Sequence, residues 1–137
     1  MVWKVFAEFE APEYSAEGIQ EFRNFIAIEA VMQRLNHKEM LLWACFEDGK
    51  VIGVIASRPP CHIALLFVDK AHHCRRIARS LYNTVLDHYK TIGNYNEMTV
   101  NSSPYAVEAY RRLGFSETDS AQTVNGIRFI PMKHKFC

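Results

Sequence analysis

The chain has 137 residues, 49% of them hydrophobic, and a formal charge of +1. That is one domain's worth of sequence, residues 1–137, long enough to bury a real core. The balance of charge points to neither nucleic acid nor a membrane surface as partner, and no apolar run approaches the roughly twenty residues of a membrane span.

From the start, Val2 to Phe9 alternates well enough to predict a first strand, with Trp3, Val5 and Ala7 on one side. Pro12 ends it, and Ser15 is placed to cap a helix carrying Ile19, Phe22, Phe25, Ile26 and Glu29 at helical spacing. A second helix follows over Ala30 to Asn36. Leu41 to Phe46 and Val51 to Ser57 read as a hairpin turning through Glu47-Asp-Gly-Lys50. Arg58-Pro-Pro60 breaks the pattern before an apolar strand, Ile63 to Val68, too short for a membrane and buried on both faces. A basic loop and a helix come next, then a strand over Glu97 to Val100 and a helix closing at Gly114. Phe115 to Thr118 and Ile127 to Met132, joined across Asn125-Gly126, supply two more strands, read as a terminal hairpin. The order predicts an α/β (α+β) domain, a mixed sheet with helices on both faces.

Met1-Val-Trp-Lys-Val-Phe6 is followed at once by Glu8 and Glu10, unlike a secretory signal. Four cysteines, Cys45, Cys61, Cys74 and Cys137, lack framework spacing and read as reduced thiols of a cytoplasmic protein. Cys61 and His62 with His72, His73 and Cys74 match no familiar zinc pattern, so no metal is expected.

The stretch from Ile63 to Tyr82 carries the most chemistry. The apolar strand stops at Asp69, a basic segment follows, and Ile77, Leu81, Val85 and Tyr89 then recur every fourth residue, as on one helix face. A helix start leaves backbone N–H groups unpaired and adds partial positive charge, a setting that suits phosphate. Arg75, Arg76 and Arg79 add full charges there. On this local pattern, phosphate binding and a solvated basic loop explain the residues equally.

Val68-Asp-Lys-Ala-His-His-Cys-Arg-Arg-Ile-Ala-Arg-Ser-Leu81 resembles the acetyl-CoA loop of the GNAT N-acetyltransferases, in which Gln/Arg-x-x-Gly-x-Gly/Ala opens a helix. His73, Arg76 and Ala78 occupy the matching positions, with His73 replacing Gln or Arg and Arg76 replacing the first glycine. That glycine ordinarily lets the backbone approach the pyrophosphate. Val100-Asn-Ser-Ser-Pro-Tyr-Ala-Val-Glu-Ala-Tyr-Arg-Arg-Leu-Gly-Phe115 is similar to the family's later motif, with Ser103 as N-cap, Pro104 at the first helical position and Gly114 as a left-handed stop. Together with the strands around them the resemblance covers about residues 41 to 115.

The resemblance implies a twisted, mostly antiparallel sheet of six to seven strands with a splayed central pair. It implies acetyl-CoA as cosubstrate, with pantetheine along the backbone of Phe67 and Val68 and the pyrophosphate on His73, Cys74, Arg75, Arg76, Ile77, Ala78 and Arg79. Asn101 and Ser103 match positions that contact the cofactor or order the later helix, and capping explains Ser103 equally well. Tyr110 falls where its hydroxyl can protonate the departing thiolate. The bland alternative is a core tyrosine with its hydroxyl tied to backbone.

The activity so implied is direct transfer of acetyl to a primary amine of a small molecule or peptide, with proximity as the main contribution. The base is not identified by the sequence: Glu29, Glu47, His62 and Asp69 are candidates, each equally readable as surface or loop-ordering. Phe22, Phe25, Trp43 and Phe129 are pocket candidates that could equally be plain core. Pairing through the terminal strands could make a homodimer. Two alternatives stay open: a non-catalytic acyl-CoA- or partner-binding module, and a structural protein whose basic loop holds another anion.

Overall fold

The computed structural model describes residues 1–73, 76–93 and 95–136, without the side chain of Glu13. Five α-helices are described: α1 (Val2–Phe9), α2 (Ala16–Phe25), α3 (Ile28–Asn36), α4 (Ile77–Ile92) and α5 (Val107–Leu113). Seven strands accompany them: β1 (Leu41–Glu47), β2 (Lys50–Arg58), β3 (His62–Val68), β4 (Glu97–Ser102), β5 (Ser116–Glu117), β6 (Gln122–Val124) and β7 (Ile127–Lys135). The sheet runs β1-β2-β3-β4-β7-β5, with β6 also on β7. Among the described strands only β3 and β4 pair in parallel; the other pairings are antiparallel. The expected mixed, mostly antiparallel sheet is therefore present.

The predicted first strand is instead α1. Val2, Val5, Phe6 and Phe9 are spaced three and four apart, so a helix gathers them on one stripe where a strand would split them. Phe6 is fully buried, stacked on Phe22 with ring centroids 3.9 Å apart and edge-on to Tyr14 at 5.2 Å. Burying such a ring is worth more than a weak alternation.

The terminal hairpin also differs. Asn125-Gly126 joins β6 to β7, both residues having positive φ as a type I′ turn requires. The segment after Phe115 forms only the short β5, which pairs with β7 farther along, at Lys133 and Met132.

Helices cover both faces. On one, α4 lays Ile77, Leu81, Tyr82, Val85 and Tyr89 over Ile55, Ile63, Met98 and Met132. On the other, α1 and α2 bring Val5, Phe6 and Phe22 to Ala56, Leu65 and Phe67. These two layers share β3 through a bulge. Ser57 pairs with Ile63 and Ala56 with Leu65, so Ala64 is an extra residue in the ladder. Ile63 joins the α4 layer, Ala64 and Leu65 both turn to the aromatic layer, and alternation then resumes with Leu66 and Phe67.

β3 and β4 pair only at His62–Thr99 and Ile63–Val100. Beyond Ile63, beside the bulge, they part. The N-terminus of α2 is tied to the β6–β7 turn. Ser15 Oγ accepts the Gly18 N–H at 3.1 Å and donates to the Gly126 carbonyl at 3.2 Å. A side chain on Gly18 would collide with that same carbonyl.

Candidate active site

Two cavities flank the parted strands. The larger, about 550 Å³, lies between the end of β3, the start of α4 and α5. The smaller, about 230 Å³, lies between β3, β4 and α2. Glu10, Leu66, Phe67, Ala106 and Tyr110 line both, so the cavities meet at one seam.

Seven residues expected at a cofactor line the larger cavity: Phe67, Val68, His73, Arg76, Ile77, Ala78 and Arg79. Cys74 and Arg75 lie outside the described residues. Asn101 and Ser103 line the smaller cavity instead. Ser103 accepts the Ala106 N–H at 3.2 Å, so its capping role is realised at the 3-10 turn Pro104–Ala106.

The loop geometry follows from these side chains. His73 Nε2 donates to the Val68 carbonyl at 2.8 Å, tying loop to strand. Arg76 has φ of 60° and ψ of 23°, the left-handed region where glycine is at ease. It precedes α4 without a side-chain cap, and the first helical bond there runs from Ser80 N–H to Arg76 carbonyl. The N–H groups of Ile77, Ala78 and Arg79 thus precede the ladder at the cavity wall. Arg79 donates to the Arg112 carbonyl, joining the start of α4 to the end of α5. His72 faces carboxylate oxygens on both sides, Glu47 at 2.6 Å and Asp69 at 3.3 Å.

Tyr110 is buried in α5, and its hydroxyl has no hydrogen-bond partner among the described residues. The other deep tyrosines differ: Tyr82 bonds His134 at 2.6 Å and Tyr89 bonds Ser57 at 2.8 Å. Burial, with Glu10 and Tyr14 nearby, pushes the Tyr110 phenol well above its ordinary value. It therefore stays protonated at neutral pH and can donate.

The four base candidates stand elsewhere. Glu29 is exposed on α3, Glu47 and Asp69 hold His72, and His62 Nδ1 bonds Thr99 Oγ1 at 2.7 Å. None lines either cavity. Phe22 and Phe25 do line the smaller one, whereas Trp43 packs edge-on to His88 at 5.3 Å and Phe129 pairs β7 to β6. The carboxylates at the cavities are Glu10, Glu21 and Glu108, none marked by a motif. Lining differs in charge: the larger cavity has Arg76, Arg79 and Arg112, while no Lys, Arg or His among the described residues lines the smaller.

The acetyltransferase (GNAT) domain family matches residues 10–136. The chain belongs to the GNAT acetyltransferases. In solved structures the same GNAT fold recurs. The PaiA N-acetyltransferase of Thermoplasma acidophilum, in complex with coenzyme A, aligns with a TM-score of 0.80 at 19% identity, covering 98% of this chain and 87% of that one. A GCN5-related N-acetyltransferase from Rhodopseudomonas palustris aligns at 0.77 and 18% identity, covering 98% and 86%. A GNAT family acetyltransferase from Elizabethkingia anophelis with acetyl-CoA bound aligns at 0.61 and 20%, covering 80% and 84%. The search of curated protein sequences gives no match. Helix α1 lies ahead of the residues that match the GNAT family, yet supplies Val5 to the larger cavity. Among the described residues no group of three or more His, Cys, Asp or Glu could hold a metal ion, and no helix is long and apolar enough to cross a membrane.

Proposed function

We propose that the protein is an acetyl-CoA-dependent N-acetyltransferase that passes acetyl directly to a primary amine. The observation that carries this reading is Tyr110: a protonated phenol, without a hydrogen-bond partner among the described residues, at the seam of one basic and one acidic cavity. The uncapped start of α4 and three arginines fit the diphosphate of coenzyme A in the larger cavity. The opening past Ile63 fits an extended arm laid beside Phe67 and Val68.

Acetyl-CoA, when bound, supplies the thioester whose C–S bond breaks as the amine nitrogen bonds the carbonyl carbon. Tyr110 gives its proton to the departing sulfur and regains one from solvent. The ammonium sheds one proton before attack and the nitrogen a second as the amide forms, so amine plus acetyl-CoA yields amide plus free thiol. The two cavities hold the reactants in attack geometry, a contribution of about 7–11 kcal/mol in favourable cases. No side chain need carry the acetyl group.

A second reading has one observation behind it. Arg76 in a left-handed conformation, where the family has glycine, would mark a loop adapted to binding without turnover. Two measurements separate the readings: protection against thermal unfolding by coenzyme A, and acetyl-CoA consumption across a panel of amines. Protection with turnover of an amine supports the transferase; protection with no turnover on any amine supports the binding module.

A further inference from the structure

The smaller cavity has a definite chemical character. Its walls carry two carboxylates, Glu10 and Glu21, and the rings of Tyr14, Phe22 and Phe25. Asn101 and Ser103 are its neutral polar groups, and it has no basic lining residue among those described. The arginine packed on Phe25, Arg34, lies 4.0 Å from that ring's centroid and is outside the lining; it donates to the Phe25 carbonyl at 2.7 Å. At about 230 Å³ the cavity falls below the roughly 300–1,000 Å³ usual for drug-sized ligands.

We infer that this cavity selects a small primary amine with an apolar stem and no carboxylate. The inference rests on the transferase reading above and names its acceptor. A protonated amine gains from the two carboxylates and from aromatic faces, which attract cations within about 6 Å of the ring centroid. A substrate carboxylate would meet like charge with no Lys, Arg or His among the described lining residues to receive it, a mismatch that disfavours its binding in a partly desolvated site. Glu10 lines both cavities, at the seam where the transferase reading puts the reacting nitrogen. Glu21, exposed on α2, lines the smaller cavity alone and adds its negative charge away from the seam.

The test uses matched pairs that differ by one carboxylate: phenethylamine against phenylalanine, and 1,4-diaminobutane against ornithine. The purified full chain is assayed with acetyl-CoA, following thiol release. The expected kcat/KM is at least about tenfold higher for the carboxylate-free member of each pair. Glu21→Lys should bring that ratio toward unity, with thermal protection by coenzyme A unchanged as the check on folding and cofactor binding. Glu21→Gln should give an intermediate ratio. Equal or better turnover of the amino acids, or a ratio that Glu21→Lys leaves untouched, overturns the inference and leaves the transferase reading standing. No turnover of any amine by a chain that binds coenzyme A overturns both.

Discussion

The ring of His73 donates to the carbonyl of Val68, five residues back, at 2.8 Å. A carbonyl only accepts, so the proton sits on Nε2. This bond holds the loop against the strand end along which the cofactor would lie, and Phe9 packs on the same ring at 5.3 Å. His73→Ala should weaken coenzyme A binding by about three- to tenfold, the loss of one ordinary hydrogen bond, with kcat little changed. Titration calorimetry of the variant checks this, and unchanged affinity would show the bond idle.

Tyr110→Phe removes only the hydroxyl of a residue that lines both cavities. Turnover should fall by about 10²-fold, the low end of general acid contributions, while coenzyme A affinity stays within about twofold. Because that hydroxyl has no partner to lose among the described residues, stability should hold. A collapse of affinity would make Tyr110 a structural residue.

Arg76→Gly should be tolerated. An L-residue in the left-handed region costs roughly 1–2 kcal/mol, and glycine's extra unfolded entropy offsets much of that gain. Urea unfolding should shift by no more than about 1 kcal/mol, with coenzyme A affinity equal or higher. A tenfold drop in affinity would show the guanidinium itself grips phosphate.

Gly18→Ala should disturb the β6–β7 turn, which reaches the smaller cavity through Ile127. Its methyl would strike the Gly126 carbonyl and push the β6–β7 turn off α2. Overpacking of this kind costs about 1–3 kcal/mol. The urea midpoint should fall and KM for the amine rise, with KM for acetyl-CoA less affected. Wild-type stability in this variant would mean the turn yields freely.

Stability should decline on the acid side through His62. Burial, then Arg58, pushes its pKa down to about 4 from 6.5. The unfolded chain therefore binds the extra proton first, so stability falls as pH drops from about 6.5 to 4 and levels below that. His134, also lowered by burial and by Lys90, adds in the same direction. His62→Gln should flatten the difference between unfolding at pH 7 and pH 5. An unchanged difference would assign the acid limb elsewhere.

Abrupt changes of period made the core of this molecule readable. The apolar run into β3, the polar break at Asp69 and the four-residue recurrence from Ile77 have no competing reading. Val2 to Phe9 misleads because its apolar residues satisfy two periods at once, and contacts with the distant Phe22 and Tyr14 decide between them. The bulge at Ala64 leaves no trace in a run without polar residues, since there is no alternation to disturb. Glu10, at the end of α1, and Glu21, within α2, resemble any helix carboxylates; only the packing of α1 and α2 against β3 brings them to a cavity.

Shortening β3 by Ala64 would leave every neighbouring side chain turned to the layer it already serves, for Ile63 and Leu65 would then simply alternate. What would vanish is the bend. Freed of its spare residue, the strand could zip onward along β4 past Val100, and the groove between them would heal shut. A protein so edited should fold soundly yet lose the opening between β3 and β4 that lies beside this single supernumerary alanine.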